Sequence, residues 1–327
     1  MRISSWKFML PLIALAMSAF VPYCVNAADP WPTKPVRLIV PFPAGGQGDV
    51  LARILAQRMV DFLDVPVVVD NVAGAGGTIA ATAVARAKND GYTLLFGTNG
   101  TQAVNPYLMK SIKYDPAKDF ESIVPVATYS GIIIANPSFE ASTISELIAL
   151  AKKNPGRIQY AIPGVGTAGH LAMALLESSA GIKLELVAYR GGAPLSVDMI
   201  GGQIKLGAEG LPGQIENVRS GKLKALAITG AVRDPSAPQI PTIGETIPGF
   251  EALSWYAVFA PAGTPAAVVA RLNDAANKAL ESPALRAQYQ KIAANPTGGT
   301  SRQLQEFVLS EMKKWEKVVK DAAIEPQ

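Results

Sequence analysis

The stretch VRLIVPFPAGGQGDVLARILAQRM occupies residues 36–59 and predicts a strand, a tight loop and a helix in immediate succession. Residues 36–40 are apolar and β-branched, which favours a buried strand. The helix is predicted to begin at Asp49, because apolar side chains recur from there at helical spacing. The adjacent glycines Gly45 and Gly46 permit a sharp turn with bare N–H groups, at a helix start that favours an anion. These residues alone leave two interpretations open, a tight connection capped by Asp49 or an anion-binding loop.

A second copy of this design lies more than a hundred residues further along the chain. A predicted strand at 158–161 leads into a glycine loop at 164–169, then into a helix that ends near residue 180 and a strand at 184–189. Strands and helices alternate between the two copies, which predicts an α/β fold with mainly parallel sheets flanked by helices. Such sheets bind ligands outside the carboxyl ends of their strands, so the loops are expected on one rim. Residues 113–126 are interpreted as irregular chain and residues 266–323 as an amphipathic helical tail.

Composition bounds the class of protein. The chain has 327 residues, of which 49% are apolar and 17% charged, so one large or two medium domains with a sizeable core are expected. The net charge of +4 is small, and lysines and arginines do not cluster with aromatic residues. A nucleic-acid partner is therefore not expected.

The first 27 residues have the pattern of a cleaved signal peptide. Arg2 and Lys7 precede an apolar run at 8–21, and Val25-Asn26-Ala27 offers small residues before a cleavage site. The apolar run is short for a membrane-spanning helix, which favours cleavage after Ala27 over an anchor. The single cysteine, Cys24, lies in this segment, so the mature chain has no disulfide. The sequence therefore predicts an exported protein located in the periplasm.

Catalytic and metal-binding motifs are poorly supported. Gly164-x-Gly166-x-x-Gly169 matches the dinucleotide fingerprint, but Tyr189-Arg190 stands where the ribose-binding acid is expected, and export argues against a nicotinamide enzyme. No G-x-S-x-G sequence is present. The single histidine, His170, has no nucleophile beside it, and a His/Cys metal site lacks ligands. His170 fits an ordinary first-turn residue of a helix and a hydrogen-bonding group in a cleft equally well.

Several motifs together resemble one known family, the Bug-type periplasmic receptors of tripartite tricarboxylate transporters. The resemblance covers the mature chain in order and is carried by PFPAGGxxD at 41–49, GAGG at 74–77, YDPxKDF at 114–120, GTxxHL at 166–171, YxG at 189–191, GGQ at 201–203 and FAPAGTP at 259–265. It implies a two-lobed periplasmic-binding-protein fold, the "Venus flytrap", with residues 28–128 plus 251–327 in lobe 1 and residues 129–250 in lobe 2. It also implies a monomer that captures a small carboxylate and delivers it to membrane permease subunits, without catalytic residues, metal or cofactor.

The resemblance implies that backbone groups and ordered water hold the carboxylate, and that Asp49 has a structural role. Arg190 stands where relatives often have lysine, so it indicates either a second anionic group on the ligand or nothing. The expected ligand-binding residues are Phe42, Ala44, Gly45, Gly46, Asn99, Thr101, Gly166, Thr167, His170, Tyr189, Arg190 and Asp198. Two other classes stay open on the residues, an exported enzyme acting on a carboxylate and a sensory module without a transport role.

Overall fold

The computed structural model describes residues 31–321. The signal peptide, its cleavage site and Cys24 lie outside the described residues. The elements follow in the order β1 (Val36–Val40), α1 (Gln47–Leu63), β2 (Val67–Asn71), α2 (Thr78–Ala85), β3 (Thr93–Thr98), α3 (Asn105–Leu108), β4 (Phe120–Ala135), α4 (Ile144–Lys153), β5 (Gln159–Ile162), α5 (Ala168–Ala180), β6 (Glu185–Ala188), α6 (Gly192–Ile200), β7 (Leu206–Gly210), α7 (Leu211–Arg219), β8 (Lys224–Ile228), β9 (Leu253–Pro261), α8 (Ala266–Glu281), α9 (Pro283–Lys291), β10 (Asn295–Pro296) and α10 (Ser301–Asp321).

One mixed sheet runs through the molecule. Its strand order is β2-β1-β3-β9-β4-β7-β5-β6, and β8 and β10 pair with β4. The outer pairs β1–β2, β1–β3, β5–β6 and β5–β7 are parallel, as the alternation of strands and helices predicts. The central pairs of β9 with β3 and β4, and of β4 with β7 and β8, are antiparallel. The expectation of mainly parallel sheets is therefore correct for the outer strands and wrong for the centre.

Strand β4 is shared by the two ends of this sheet. Its residues Phe120–Ser130 pair with β9, whereas Gly131–Ala135 pair with β7 and β8. We call β2, β1, β3, β9 and β4 up to Ser130 the first half of the sheet, and β4 from Gly131 with β7, β5, β6 and β8 the second half. The interpretation of 113–126 as irregular is wrong from Phe120 onward, since the chain is already in β4 there.

The helical tail is confirmed as helical but is divided into α8, α9 and α10. Pro283 begins α9, where its missing N–H costs no helical hydrogen bond. Between α9 and α10 the chain pairs briefly with β4 through β10 and turns at two left-handed glycines, Gly298 and Gly299. Helix α7 and strand β9 were not predicted. None of the helices within residues 31–321 combines the length and the apolar character needed to cross a bilayer.

Local signals explain the elements that carry the site. Strand β1 is buried at four of its five positions, and α1 buries one face against it through Leu51, Leu55 and Met59. At the start of α4 the Thr143 side chain accepts from the Glu146 N–H at 3.2 Å, which is one of the two bonds of a capping box. Both glycine loops follow strands at their carboxyl ends, so the sheet fixes where the helix starts lie.

Candidate functional site

The loops after β1 and β5 have the same local structure. Gly45 and Gly166 each precede the N-cap of a helix with left-handed φ angles of 79° and 78°, a conformation that glycine adopts at little cost. The third helical residue then folds its side chain back onto that glycine. The Gly45 N–H donates to Asp49 Oδ2 at 2.9 Å, and the Gly166 N–H donates to His170 Nδ1 at 3.2 Å. The repeated sequence pattern therefore reflects a repeated structure.

These bonds change which donors can face a ligand. The N–H groups of Gly45 and Gly166 are already used inside the protein, and the Gly46 N–H lies 3.4 Å from the Pro43 carbonyl oxygen. The first N–H groups of an α-helix have no acceptor within the helix. Residues 47–49 at the start of α1 and 168–170 at the start of α5 thus supply the available donors, and the loop glycines shape the approach to them.

Asp49 bonds directly to Gly45 and is linked to Phe42 through Arg53 and Asn71, so it fixes the conformation of the first loop. Besides accepting from Gly45, its carboxylate lies 2.9 Å from Arg53 Nη2. The same guanidinium donates to Asn71 Oδ1 at 3.1 Å, and the Asn71 amide donates to the Phe42 carbonyl at 3.0 Å. Burial would raise the pKa of Asp49, but the bonds from Arg53 and Gly45 outweigh it and keep the pKa below its ordinary value. The structure agrees with the structural role that the resemblance implies for Asp49.

His170 is the counterpart of Asp49 in the second loop, and it is neutral. Its side chain is buried, and burial lowers the pKa to about 4. Since Nδ1 accepts from Gly166, the ring proton is on Nε2, which is a donor. The sequence left two roles open, an ordinary first-turn residue and a hydrogen-bonding group. The structure shows that His170 is a first-turn residue that also accepts a hydrogen bond from the loop, and its Nε2–H is a further donor.

Acid should destabilise the protein through His170. In the unfolded chain its pKa is about 6.5; in the folded protein it is about 4. Unfolding therefore takes up a proton between these values, and stability that is complete above pH 6.5 falls as the pH is lowered toward 4. The expected loss is about 3 kcal/mol, measured as the free energy of unfolding in urea at several pH values. His170→Gln keeps an acceptor for Gly166 and should remove this part of the pH dependence; an unchanged dependence would contradict the assignment.

Glycine is also found at the second position of both helices, for reasons of packing. A Cβ on Gly48 would lie 3.2 Å from the Tyr256 ring, and a Cβ on Gly169 would lie 2.0 Å from the Ala208 carbonyl oxygen. Tyr256 stacks on Tyr129, with ring centroids 5.4 Å apart. This tyrosine pair lies beneath the start of α1, where the halves of the sheet meet.

The two halves contact each other around the helix starts. A Cβ on Gly210, at the end of β7, would lie 2.6 Å from Gln47 Oε1 of α1, and a Cβ on Gly100 would lie 3.0 Å from the Gly166 carbonyl oxygen. Asn105 approaches the second loop, since its Oδ1 lies 3.0 Å from the Cβ position of Gly166. Gln47 Nε2 and Asn105 Oδ1 are buried and have no hydrogen-bond partner among residues 31–321. Two unpartnered polar groups of the first half therefore lie beside glycines of the second half, where the loops meet.

The other expected ligand residues fall into two groups. Phe42, Ala44 and Gly46 are exposed or half-buried in the first loop, and Thr167 is half-buried as the N-cap of α5. Asn99 and Thr101 are buried near this region, and the Thr101 hydroxyl is already bonded to the backbone of Thr98.

Tyr189, Arg190 and Asp198 lie at the β6–α6 end of the second half. The Tyr189 hydroxyl donates to Asp198 Oδ2 at 2.9 Å, so these two side chains hold each other. The Asp198 carboxylate and burial raise the pKa of Tyr189, with burial the larger cause. Arg190 is exposed, and no residue within 31–321 pairs with its guanidinium. Among Tyr189, Arg190 and Asp198, Arg190 therefore has a cationic group that is available to a ligand.

Two polar residues at the junction of the halves, Gln47 and Asn105, were not predicted from the sequence. Neither was Glu209 of β7, whose carboxylate accepts a hydrogen bond from Gln214 Nε2. Gln47 occupies a position that the glycine motif leaves unspecified, and Asn105 has no motif at all. Glu209 did carry a signal, because it is the charged residue of the small, apolar strand LGAEG and stands immediately before the N-cap of a helix.

Comparison with known proteins identifies relatives of this chain. The sequence profile of the tripartite tricarboxylate transporter family receptors matches residues 51–324. A solved structure of R. palustris Rpa4515 with adipate is 36% identical, with a TM-score of 0.86 over 91% of this chain and 100% of that chain. The periplasmic binding protein BugD is 36% identical, with a TM-score of 0.83 over 91% of this chain and 100% of that one.

A third solved structure, MatC from Rhodopseudomonas palustris with bound malate, is 31% identical and has a TM-score of 0.82, covering 88% of this chain and 99% of that chain. The family match spans most of the chain, and the likeness in fold extends over both halves of the sheet. The chain therefore belongs to the tripartite tricarboxylate transporter receptors, a family of periplasmic solute-binding proteins and not of enzymes, and it has their α/β fold.

Proposed function

We propose that this receptor captures a small carboxylate between two lobes and delivers it to the membrane permease subunits of a tripartite transporter. The observation that carries the proposal is the pair of matching loops, which direct the starts of α1 and α5 toward the junction of the halves. Each helix start combines unpaired N–H donors with the positive end of a helix dipole. Two such starts in one cleft favour an anionic ligand and disfavour a cation.

The proposed lobes are residues 28–128 plus 251–327 and residues 129–250. The change of partners along β4 supports this division, since pairing with β9 ends at Ser130 and pairing with β7 begins at Gly131. The lobes close on the ligand as a hinged pair, a known motion of periplasmic binding proteins. The contacts of Gln47 with Gly210 and of Gly100 with Gly166 belong to the closed arrangement.

Within the cleft, we assign each expected residue a part. Phe42, Ala44, Gly45 and Gly46 shape the approach to α1, and Gly166, Thr167 and His170 do the same at α5. Asn99 and Thr101 are buried and support the base of the cleft. Tyr189, Arg190 and Asp198 form the outer rim, where Arg190 offers a fork-shaped set of donors to a second acid group.

The bound ligands of two relatives support the carboxylate class. Rpa4515 is described with adipate and MatC with malate, and both proteins share this fold over nearly their full lengths. The likeness to the periplasmic binding protein BugD supports action in the periplasm. We further propose a monomer that uses no cofactor and a signal peptide that is cleaved after Ala27.

A thermal-shift screen over small carboxylates tests the proposal. Adipate, malate and related mono-, di- and tricarboxylates are compared with 1,6-hexanediol, which matches adipate in length but carries no charge. An acid at 100 times its Kd should add about 2.7 kcal/mol to the free energy of unfolding, and the diol should add nothing. Stabilisation by uncharged or cationic compounds alone, with every acid inactive, would contradict a carboxylate receptor.

A further inference from the structure

Glu209 has an unusual position at the carboxyl end of β7. One carboxylate oxygen, Oε2, accepts from Gln214 Nε2, which also donates to Ser196 Oγ at 2.7 Å. The other, Oε1, accepts no hydrogen bond from any residue in 31–321. The side chain is half-buried and not sealed from solvent. Glu209 therefore has one oxygen fixed by the protein and one oxygen still to be partnered.

Space for this second oxygen is made by glycines. A Cβ on Gly192, the first residue of α6, would lie 2.0 Å from Oε1, and a Cβ on Gly213, in the first turn of α7, would lie 3.0 Å from it. Any other residue at Gly192 would displace the carboxyl group. The two helix starts thus form a fitted recess around Oε1.

This recess lies among the loops that form the cleft. The residue after Glu209 is Gly210, where a Cβ would lie 2.6 Å from Gln47 Oε1 at the start of α1. Gly192 directly follows the rim segment 189–191, which includes Arg190. The Glu209 carboxyl group therefore lies beside the start of α6, which follows the rim, and interacts with Tyr256, whose ring lies against Gly48 at the start of α1.

No cation among residues 31–321 contributes to the shift in the pKa of Glu209. The titratable groups coupled to it are the hydroxyls of Tyr129 on β4 and Tyr256 on β9, and burial raises the pKa of both, so they stay neutral. From α6 and α7 it faces the uncharged groups of Ser196 and Gln214. Burial, the main cause, raises the pKa of Glu209 itself. An ionised Glu209 would repel an acidic ligand, whereas a protonated one would be a hydrogen-bond donor.

We propose that Glu209 is a specificity-determining residue of the cleft, which takes a proton when an acidic ligand binds and donates it from Oε1 in a hydrogen bond to a carboxylate oxygen of that ligand. This inference rests on the proposed function, because it requires a carboxylate in the cleft. The proton comes from solvent, and no covalent bond other than the carboxyl O–H forms. Binding is then linked to pH, and affinity increases by up to about tenfold for each unit that the pH falls while the free protein still holds Glu209 ionised.

Calorimetry in two buffers gives the number of protons taken up when the ligand binds. Adipate and malate are titrated at about pH 8, where their own acid groups are ionised, in phosphate and in Tris, which differ in enthalpy of ionisation. The difference in heat gives the number of protons taken up. Wild type should take up as much as one proton per ligand. Glu209→Gln replaces the acid O–H by an amide N–H, so it should bind with similar or greater affinity and take up none.

Glu177→Gln is the matched control. Glu177 is also a carboxyl group whose pKa is raised by burial, but it bonds to the Leu184 N–H and the Tyr160 hydroxyl between α5 and β5, away from the loops. This variant should keep the proton uptake of wild type. If proton uptake on binding is abolished in Glu209→Gln but retained in Glu177→Gln, the proton is on Glu209.

Three results would overturn the proposal. Wild type that binds acid without proton uptake excludes protonation of Glu209 on binding and overturns the proposal, even if no variant folds. A tenfold or greater loss of affinity in Glu209→Gln shows that Glu209 is ionised and accepts a hydrogen bond from the ligand. Unchanged proton uptake in that variant places the proton elsewhere. If wild type gives no heat with any acid, the result contradicts the proposed carboxylate receptor instead. Failure of the Glu209 proposal is therefore distinguished from failure of the proposed function.

Discussion

Replacing Gly169 by alanine is expected to cost the protein about 3 kcal/mol of stability or more. At this second position of α5, a Cβ would lie 2.0 Å from the Ala208 carbonyl oxygen and 2.5 Å from its carbonyl carbon. Both atoms belong to the backbone of β7, so they cannot rotate away, and α5 must move from the sheet. The better helix propensity of alanine returns only about 1 kcal/mol. Unfolding in urea measures the loss.

Gly48→Ala is the control, because Gly48 has the same position in α1. There the nearest atoms belong to the Tyr256 ring at 3.2 Å, which is a side chain and can shift by a few tenths of an ångström. A loss of about 1 kcal/mol is expected. Equal losses in the two variants would show that the β7 backbone is not what excludes a side chain at Gly169.

Asp49→Ala is expected to weaken carboxylate binding by about tenfold or more, which is about 1.4 kcal/mol, although Asp49 is not proposed to touch the ligand. The variant removes the acceptor of the Gly45 N–H and the ion-pair partner of Arg53. The loop then loses its fixed conformation, and the N–H donors at the start of α1 must be ordered by the ligand, which lowers affinity. Calorimetry with adipate or malate, whichever binds more tightly, measures the change.

Asp61→Ala provides the comparison on the same helix. Asp61 also pairs with an arginine, Arg58, at 3.6 Å, but the carboxylate is 57% exposed and lies two turns and more from the loop. Exposed pairs of this kind contribute little to stability, so neither stability nor affinity should change measurably. Normal binding by Asp49→Ala would show that the loop keeps its shape without its buried acid.

The sequence predicted the paired loops because each has three independent signals in succession: an apolar strand, glycines and helical periodicity. Those signals are local, and the sheet then brings the loops to one rim by topology alone. The bounds of β1 and the structural role of Asp49 could therefore be anticipated. The helix starts were predicted slightly late, since α1 begins at Gln47 and α5 at Ala168. The partner of the Gly45 N–H could not be anticipated, because the side chain that accepts it lies one helical turn away and could equally have pointed to solvent.

The length of β4 was obscured by Pro125. Proline cannot donate to a sheet and usually indicates an edge or a bulge. Here the pairing of β4 with β9 shifts register between Ser122 and Val124 and again between Pro125 and Ala127, so bulges accommodate the proline within a central strand. Helix α7 was missed for a similar reason, since Pro212 and Gly213 in its first turn are more typical of a loop.

Strand β9 sets an order of events for a chain that folds after export. It fills the gap between β3 and β4, and residue Leu95 pairs with Phe259, more than 160 positions later. A chain that emerges amino end first delivers β1, β2 and β3 early, with the β3 edge open and unpaired. That edge can close only when the last quarter of the chain arrives, and contacts so distant in sequence form slowly. During that interval an apolar strand edge is open to other chains. Because β9 completes a sheet that begins with β1, β2 and β3, the first half of the sheet has a vulnerable period during folding, which ends with the arrival of β9.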